Sequence, residues 1–508
     1  MKKFSQTLKL LLLYISLVCL SFGQNQVWRQ WYDRNGCMDL GLGLAIDKEQ
    51  NIVVCGIAGF PWGNDHGDSI LILKFSPEGT LIWSRTWGYT DSSKCGGGDI
   101  VIDNQNNIFV CGTKSVIGST NNEMVILKYD SQGSLIWEKN FSLPGSTDCG
   151  AEGIVLDNSG NIIVTGWDYV ETAGGVRFLT VKIDSLGNII WTKTYGYPGS
   201  AGFDEGSGNK CVVDTQGNTY IAGWFFWTDD STQPIKFWTG YLILKYNSMG
   251  TLLWDKYIRY SDSIPHDWDG AFAITLDSSG NPIVTGLFND HARTIKMSPN
   301  GTILWNHTFE EVSGGYGICV DKAGNVIVVG TRGMYMPDFI LTYDSLGNLL
   351  SAYNPPLPRT VCYDVAPDSS QCFYAVGGNI DEQNPDLMLD KYRCYVGVDD
   401  LAGLTQEKMG TLQIRPNPFI NKTEIKFLIP EKTISNVGTG FASGSLKIYD
   451  ATGRLIKDFS RFTNYNLRPT SFVWDGTDDS GYKLPAGIYF ACLQVNGVRE
   501  TRKVMKVK

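Results

Sequence analysis

The chain is short of the residues from which most active sites are built. Its 508 residues include only four histidines, His66, His266, His291 and His307, with no HExxH pair and no close spacing suited to a metal. There is no GxSxG elbow to present a nucleophilic serine and no GxxxxGK loop to cradle a phosphate. Adjacent acids such as Asp229 and Asp230 project in different directions on most backbones, so they make a poor acid/base pair. These absences weigh against an enzyme and indicate no organic cofactor. No Lys/Arg-rich stripe accompanies the formal charge of −9, which excludes a nucleic-acid partner because phosphates need a basic face. After residue 23 no long apolar run occurs, so the mature chain carries no transmembrane segment.

The one apolar run, "LLLLYISLVCL", follows Lys2, Lys3 and Lys9 and precedes the small residues Ser21 and Gly23. That order predicts a secretory signal peptide over 1–23 and a secreted or outer-cell-surface protein. The leader's three lysines count toward the −9, so the mature chain is more acidic still. Twelve cysteines are present; with Cys19 in the leader an odd number remains, leaving at least one thiol free or paired with another molecule. Several lie in apolar strand patterns such as "NIVVCG" and "NIFVCG", where they read as small buried hydrophobes.

What the chain has in abundance is repetition. A turn, an apolar strand and a glycine recur as "DKEQNIVVCG" from Asp47, "DNQNNIFVCG" from Asp103, "DNSGNIIVTG" from Asp157, "DTQGNTYIAG" from Asp214, "DSSGNPIVTG" from Asp277, "DKAGNVIVVG" from Asp321 and "DSSQCFYAVG" from Asp368. A second phrase of the type "VKIDSLGNIIW" follows each, shortened in the last copy to "LDKYRC". Each unit holds four short strand patterns, and both turns end in Gly or a substitute that tolerates a left-handed backbone, the mark of tight antiparallel hairpins. Asn106 suits that position; Gln50 and Gln371 suit it less. Seven units of four strands predict an all-β fold, a seven-bladed β-propeller spanning 24–396. The seventh unit is one strand short, and the early segment "QVWRQWYDR" supplies a strand of the missing type, so pairing the two closes the ring. Trp28 then joins Trp83, Trp137, Trp191, Trp254 and Trp305 in a series whose regularity indicates packing between blades.

The run "FLTVKIDSLGNIIWTKTYG" followed by "CVVDTQGNTYIAGW" resembles the bacterial β-propeller repeat family often labelled SBBP. The resemblance implies a fold and an extracellular setting but no single activity.

The tight turns are uniform and read as scaffold, whereas the remaining connections vary and emerge on the opposite face, where binding residues concentrate. Candidate ligand-binding residues there are Trp62, Trp167, Tyr169, Trp224, Phe226, Trp227 and Trp268, whose rings beside acids suit a glycan or peptide; the plainer reading is that they pack their own loops. Asp39, Asp148, Glu205 and Asp269 recur just before the innermost strand and would offer oxygen ligands to calcium around a channel mouth. Their offsets differ, however, and no EF-hand loop is present.

After residue 396 the pattern changes. Residues 397–411 read as a linker, and 412–508 as a small Ig-like β-sandwich. "RPNPF" (Pro416, Asn417, Pro418, Phe419), "LKIYDATGRLI" (Gly453), "WDGTDDSGYKLPAGIYF" (Asp475, Gly476, Gly487, Tyr489) and the end "TRKVMKVK" resemble the C-terminal type A sorting domain of the type IX secretion system. They are equally similar to the Ig-like module of flagellar hook-capping proteins. The resemblance implies outer-membrane secretion machinery as a partner. "WDGTDDSG" reads as a turn between strands, with a calcium loop as the alternative. The expectation is a noncatalytic secreted or cell-surface propeller that binds a glycan, peptide or protein through its long-loop face. The alternatives are a secreted propeller enzyme of lyase, hydrolase or dehydrogenase type, and a purely structural surface protein.

Overall fold

A computed structural model describes residues 26–34, 38–60, 69–88, 95–115, 121–143, 145–171, 175–196, 205–229, 236–262, 269–312, 314–331, 338–353, 355, 360–379, 385–394, 413–427, 442–450, 454–464, 470–495 and 498–507. The leader, the linker, Trp62, Trp268 and Gly453 lie outside them. Among the described residues there is no helix, and the chain divides into two units, Met1–Tyr395 and Val396–Lys508.

The described part of the first unit forms seven four-stranded antiparallel sheets. Sheets I to VI follow the chain over residues 38–87, 95–141, 148–195, 205–262, 270–312 and 314–353. Sheet VII takes three strands from 360–393 and its fourth, Gln26–Tyr32, from the beginning of the described chain. The first strand of each sheet touches the first strand of the next, and that of sheet VII touches that of sheet I. The arrangement is therefore propeller-like, with the first strands innermost.

The turns explain why the repeat phrase makes a hairpin. Asp157 Oδ1 accepts the amides of Ser159 and Asn161 at 2.8 and 2.9 Å, and Asn161 Nδ2 donates to Oδ2 at 2.8 Å. Gly160 between them has φ of 77°. Where Gly is replaced, Gln50, Asn106 and Gln371 take the same left-handed conformation at 66°, 61° and 60°, so the carboxylate-anchored turn overrides the residue's own preference.

Side chains then tie one sheet to the next. The indoles of Trp28, Trp83, Trp191, Trp254 and Trp305 lie against Gly79, Gly133, Gly250, Gly301 and Gly347, each the turn glycine of the following sheet. Trp28 does this from sheet VII to sheet I. A lysine on the third strand spans the same seam. Lys182 Nζ pairs with Asp157 at 2.8 Å and donates to the Ser248 carbonyl of sheet IV at 3.3 Å, and Lys296 repeats the pattern with Asp277 and Ser345. The turn aspartates thus carry a second duty besides holding the turn.

The second unit has one sheet of three strands and one of four around a core containing Phe419, Leu446, Ile448, Trp474, Tyr489 and Val504. Asn417 binds the last strand on both sides, donating Nδ2 to Lys503 O at 2.7 Å and accepting the Met505 amide at 2.8 Å. Phe419 is buried against Trp474, and Trp474 against Tyr489, each with ring centres 5.3 Å apart. Pro416 and Pro418 both follow cis peptide bonds. Gly476 has φ of 72°, and Gly487 opens the strand that pairs with the last one. Asp475 Oδ1 takes both the amide and hydroxyl of Thr477, and Asp478 Oδ1 takes the amides of Ser480 and Tyr482. These are turn bonds.

Candidate functional site

The first strand of every sheet carries a bulge at the equivalent place. Register shifts fall between Gly41 and Gly43, Gly97 and Asp99, Ala151 and Gly153, Gly208 and Lys210, Ala271 and Ala273, Gly315 and Gly317, and Cys362 and Asp364. A bulge leaves one residue unpaired and re-aims its neighbours. On one side of the ring the extra residues are aromatic: Phe272 stacks on Tyr316 at 5.1 Å, and Tyr316 meets Tyr363 edge-on at 5.7 Å.

The paired residues just after three of these bulges, Asp99, Lys210 and Asp364, bring charge to the axis. Lys210 of sheet IV reaches Asp99 of sheet II at 2.6 Å and Asp364 of sheet VII at 3.7 Å; since these sheets are not neighbours, the side chain crosses the middle. Asp99 Oδ2 also accepts the Ile154 amide at 3.1 Å, and Asp364 Oδ2 the Leu44 amide at 3.0 Å. Burial disfavours the Lys210 ammonium, but Asp364 and Asp99 outweigh it and hold its pKa above the ordinary value. The amine stays protonated, which suits a clasp and not a nucleophile. Burial raises Asp364 and the nearby Glu152; for Glu152 the Trp167 indole N–H and Lys210 pull the other way. Sequence reasoning missed Asp99, Glu152, Lys210 and Asp364. The signal was faint: a single charged residue near the middle of the first strand of four of the seven units.

Three of the four acids proposed for calcium accept backbone amides. Asp39 Oδ2 accepts the Arg34 amide at 2.6 Å, Asp148 that of Asn122 at 2.8 Å and Asp269 that of Asn289 at 2.8 Å, while Glu205 is exposed. Among the described residues no three His, Cys, Asp or Glu side chains are grouped to hold a metal. Burial pushes Asp39 up to about 6, and its Oδ1 has no hydrogen-bond partner among the described residues.

The aromatic segments expected as loops are strands. Trp167 and Tyr169 lie in Ile162–Val170, opposite Gly150 and Asp148. Trp224, Phe226 and Trp227 lie in Thr219–Asp229, the second strand of sheet IV. That sheet is elongated: its second, third and fourth strands have eleven residues each, against nine, seven and seven in sheet I. Strand alternation therefore splits the "WFFW" run between two faces. Trp224 lies against Gly270 of sheet V, and Phe226 shares its face. Phe225 is buried toward sheet III with Phe178, and Trp227 stacks on Trp238 at 6.3 Å. No single platform contains Trp224, Phe226 and Trp227.

At the opposite, turn-bearing end, a cavity of about 420 Å³ is bounded by turns of sheets I, VI and VII. Its carboxylates, Asp47, Asp321 and Asp368, are each engaged by amides of their own turn. No disulfide joins two of the described cysteines, and all of these but Cys372 are buried.

No protein-family profile matches the chain, and no curated protein matches it. Among solved structures it is similar to a catalytically inactive variant of virginiamycin B lyase from Staphylococcus aureus, at 11% identity and a TM-score of 0.44 over 71% of this chain and 98% of that one. It is similar to PorZ, a surface component of the type IX secretion system of Porphyromonas gingivalis, at 14% identity and 0.43 over 92% of this chain and 59% of that one. It is also similar to the extracellular domain of a one-component system from B. thetaiotaomicron, at 12% identity and 0.40 over 94% and 59%. All three scores lie below 0.5, so the functional reading rests on the chain's own sheets and side chains.

Proposed function

We propose that this chain is an exported seven-bladed β-propeller, closed by its N-terminal strand, that binds a glycan, peptide or protein at the end of the ring bearing the variable connections. Residues 1–23 act as the signal peptide, 24–396 form an SBBP-like propeller and 397–411 a linker. Residues 412–508 form an Ig-like module that addresses the protein to the outer-membrane type IX machinery and so to the cell surface or medium. The observation that carries the binding reading is the elongation of sheet IV, whose extra length bears rings on both faces. The extra length carries Trp227 and Trp238, each only half-buried, toward the end that bears the variable connections. The Lys210 clasp supports a noncatalytic role, because it commits the axial amine to an ion pair.

The test is binding of the full chain to glycan and peptide arrays, with Trp224→Ala and Trp227→Ala assayed separately because the two rings face opposite ways. One variant should lose binding while melting near the wild type. Equal binding by both would place the ligand elsewhere. Removal of residues 412–508 should leave the protein in the periplasm, and undiminished surface display would count against the sorting role.

A further inference from the structure

The face of elongated sheet IV that looks toward sheet III combines aromatic rings with polar groups of its fourth strand and of sheet III. Alternation places Phe225 and Trp227 of the second strand there with Trp238 and Leu242 of the third. Asp255, Tyr257 and Arg259 of the fourth strand, spaced by two, share that side. At the centre is Gly240, paired with Phe225 on one side and Arg259 on the other. Its φ of 142°, and the Ile258 carbonyl that a Cβ would strike, keep the position free of a side chain. Gly240 is itself buried, so the accessible part of this face is the half-buried rings of Trp227, Trp238 and Tyr257 with the exposed Asp255 and Arg259.

Two observations give the patch its chemistry. The Arg259 guanidinium is exposed and lies 4.9 Å from the centre of the Tyr257 ring, with no hydrogen-bond or ion-pair partner among the described residues. Tyr257 is itself held edge-on against buried Phe225 at 5.0 Å, so the cation sits on a fixed support. Beside it, Tyr195 of sheet III donates its hydroxyl to Asp255 Oδ2 at 2.8 Å and lies 3.2 Å from the Tyr257 hydroxyl. Rings, hydroxyls and a carboxylate match the apolar faces and hydroxyl edges of a sugar. A preset, unpaired guanidinium matches a planar or tetrahedral anion.

We infer that this face binds a saccharide bearing an anionic substituent, with the rings taking the sugar and Arg259 the charge. The inference rests on the binding reading proposed above and narrows it to one face and one ligand class. A peptide is the competing occupant, because the fourth strand is the outer edge of its sheet; the exposed guanidinium beside a hydroxyl and carboxylate cluster favours the charged sugar.

Calorimetry with the full chain tests it, using oligomers of galacturonic acid, sulfated galactan oligomers and neutral cello-oligosaccharides. At least one anionic oligomer should bind tenfold or more tightly than the neutral one. Arg259→Gln should abolish that preference without moving the melting temperature, since the side chain is exposed, and Arg259→Lys should restore part of it. The carboxylate and sulfate arms decide which anion is preferred. Equal binding of neutral and anionic oligomers, or a preference that survives Arg259→Gln, overturns the assignment while leaving a saccharide-binding protein. Binding to immobilised peptides but to no oligosaccharide overturns the assignment and spares the broader reading. Binding to neither defeats both.

Discussion

Arg29 grips Asp390 through both carboxylate oxygens, Nε to Oδ1 at 2.7 Å and Nη2 to Oδ2 at 2.5 Å, across the seam where the first strand completes sheet VII. Asp390 is fully buried, and Tyr392 and Gln26 donate to the same carboxylate at 2.6 and 3.0 Å. Register and charge therefore specify the same pairing of strands that lie more than 350 residues apart in the chain.

Removing the cation strands a buried anion, a far larger loss than an exposed ion pair would represent. Arg29→Ala should cost about 3–5 kcal/mol in urea denaturation, with Arg29→Lys between it and the wild type. A loss below about 1 kcal/mol, the range of a surface pair, would mean the ring closes without this contact.

Lys210 makes a second, separable prediction. Lys210→Met leaves Asp99 and Asp364 facing one another without their cation, which should destabilise the protein by about 3 kcal/mol near neutral pH. Because protonation can neutralise the abandoned carboxylates, the deficit should shrink at pH 5. Denaturation at pH 5 and pH 8 checks this, and a deficit independent of pH would show that the carboxylates do not feel the lysine.

Buried carboxyl groups set the wild type's own response to pH, Asp364 and Glu152 among them. Burial pushes Asp338 up to about 7 and Asp39 up to about 6, from an ordinary 3.8. The folded state binds these protons more tightly than the unfolded chain, so stability is greatest on the acid side and falls as pH rises from about 4 to 7. Turn carboxylates such as Asp157 and Asp277 act oppositely. Burial would raise them, but Lys182, Lys296 and the turn donors hold them below the ordinary value, so their contribution is lost only at more acid pH. Unfolding free energies between pH 4.5 and 8 should decline, and Asp338→Asn should flatten the slope; a rise over that range would contradict the assignment.

The two glutamines in left-handed turns should behave differently. Gln371→Gly relieves backbone strain and should stabilise by about 0.5 kcal/mol, the left-handed cost less the entropy glycine loses. Gln50→Gly relieves the same strain but also removes the Oε1 that accepts the Ser369 amide of sheet VII at 2.9 Å. It should give no gain. Thermal melts of the two variants compare them directly, and an equal gain from both would show that the bridging bond is worth nothing.

Local chemistry was legible in the residues. A turn aspartate, a left-handed residue and a short apolar strand act within ten positions, so the repeat phrases locate the hairpins, and the regular tryptophans announce contact between sheets. In the segment "WFFW" period-two alternation assigns the rings to two faces only once the segment is known to be a strand. It was misplaced because aromatic, turn-flanked segments of unequal length look like loops until their partners are seen.

By itself, then, the sequence determined an all-β chain of repeated hairpins and where each begins, because those features depend on neighbours a few residues apart. Only the tertiary structure decided that Lys210 meets Asp99 and Asp364, that Arg29 meets Asp390, and that Arg259 stands over Tyr257 beside Tyr195. Each depends on which way a side chain leaves its sheet and on what closure of the ring brings opposite it. No pattern of spacing carries that information, because the partners lie on different strands whose registers are set by burial and bulges.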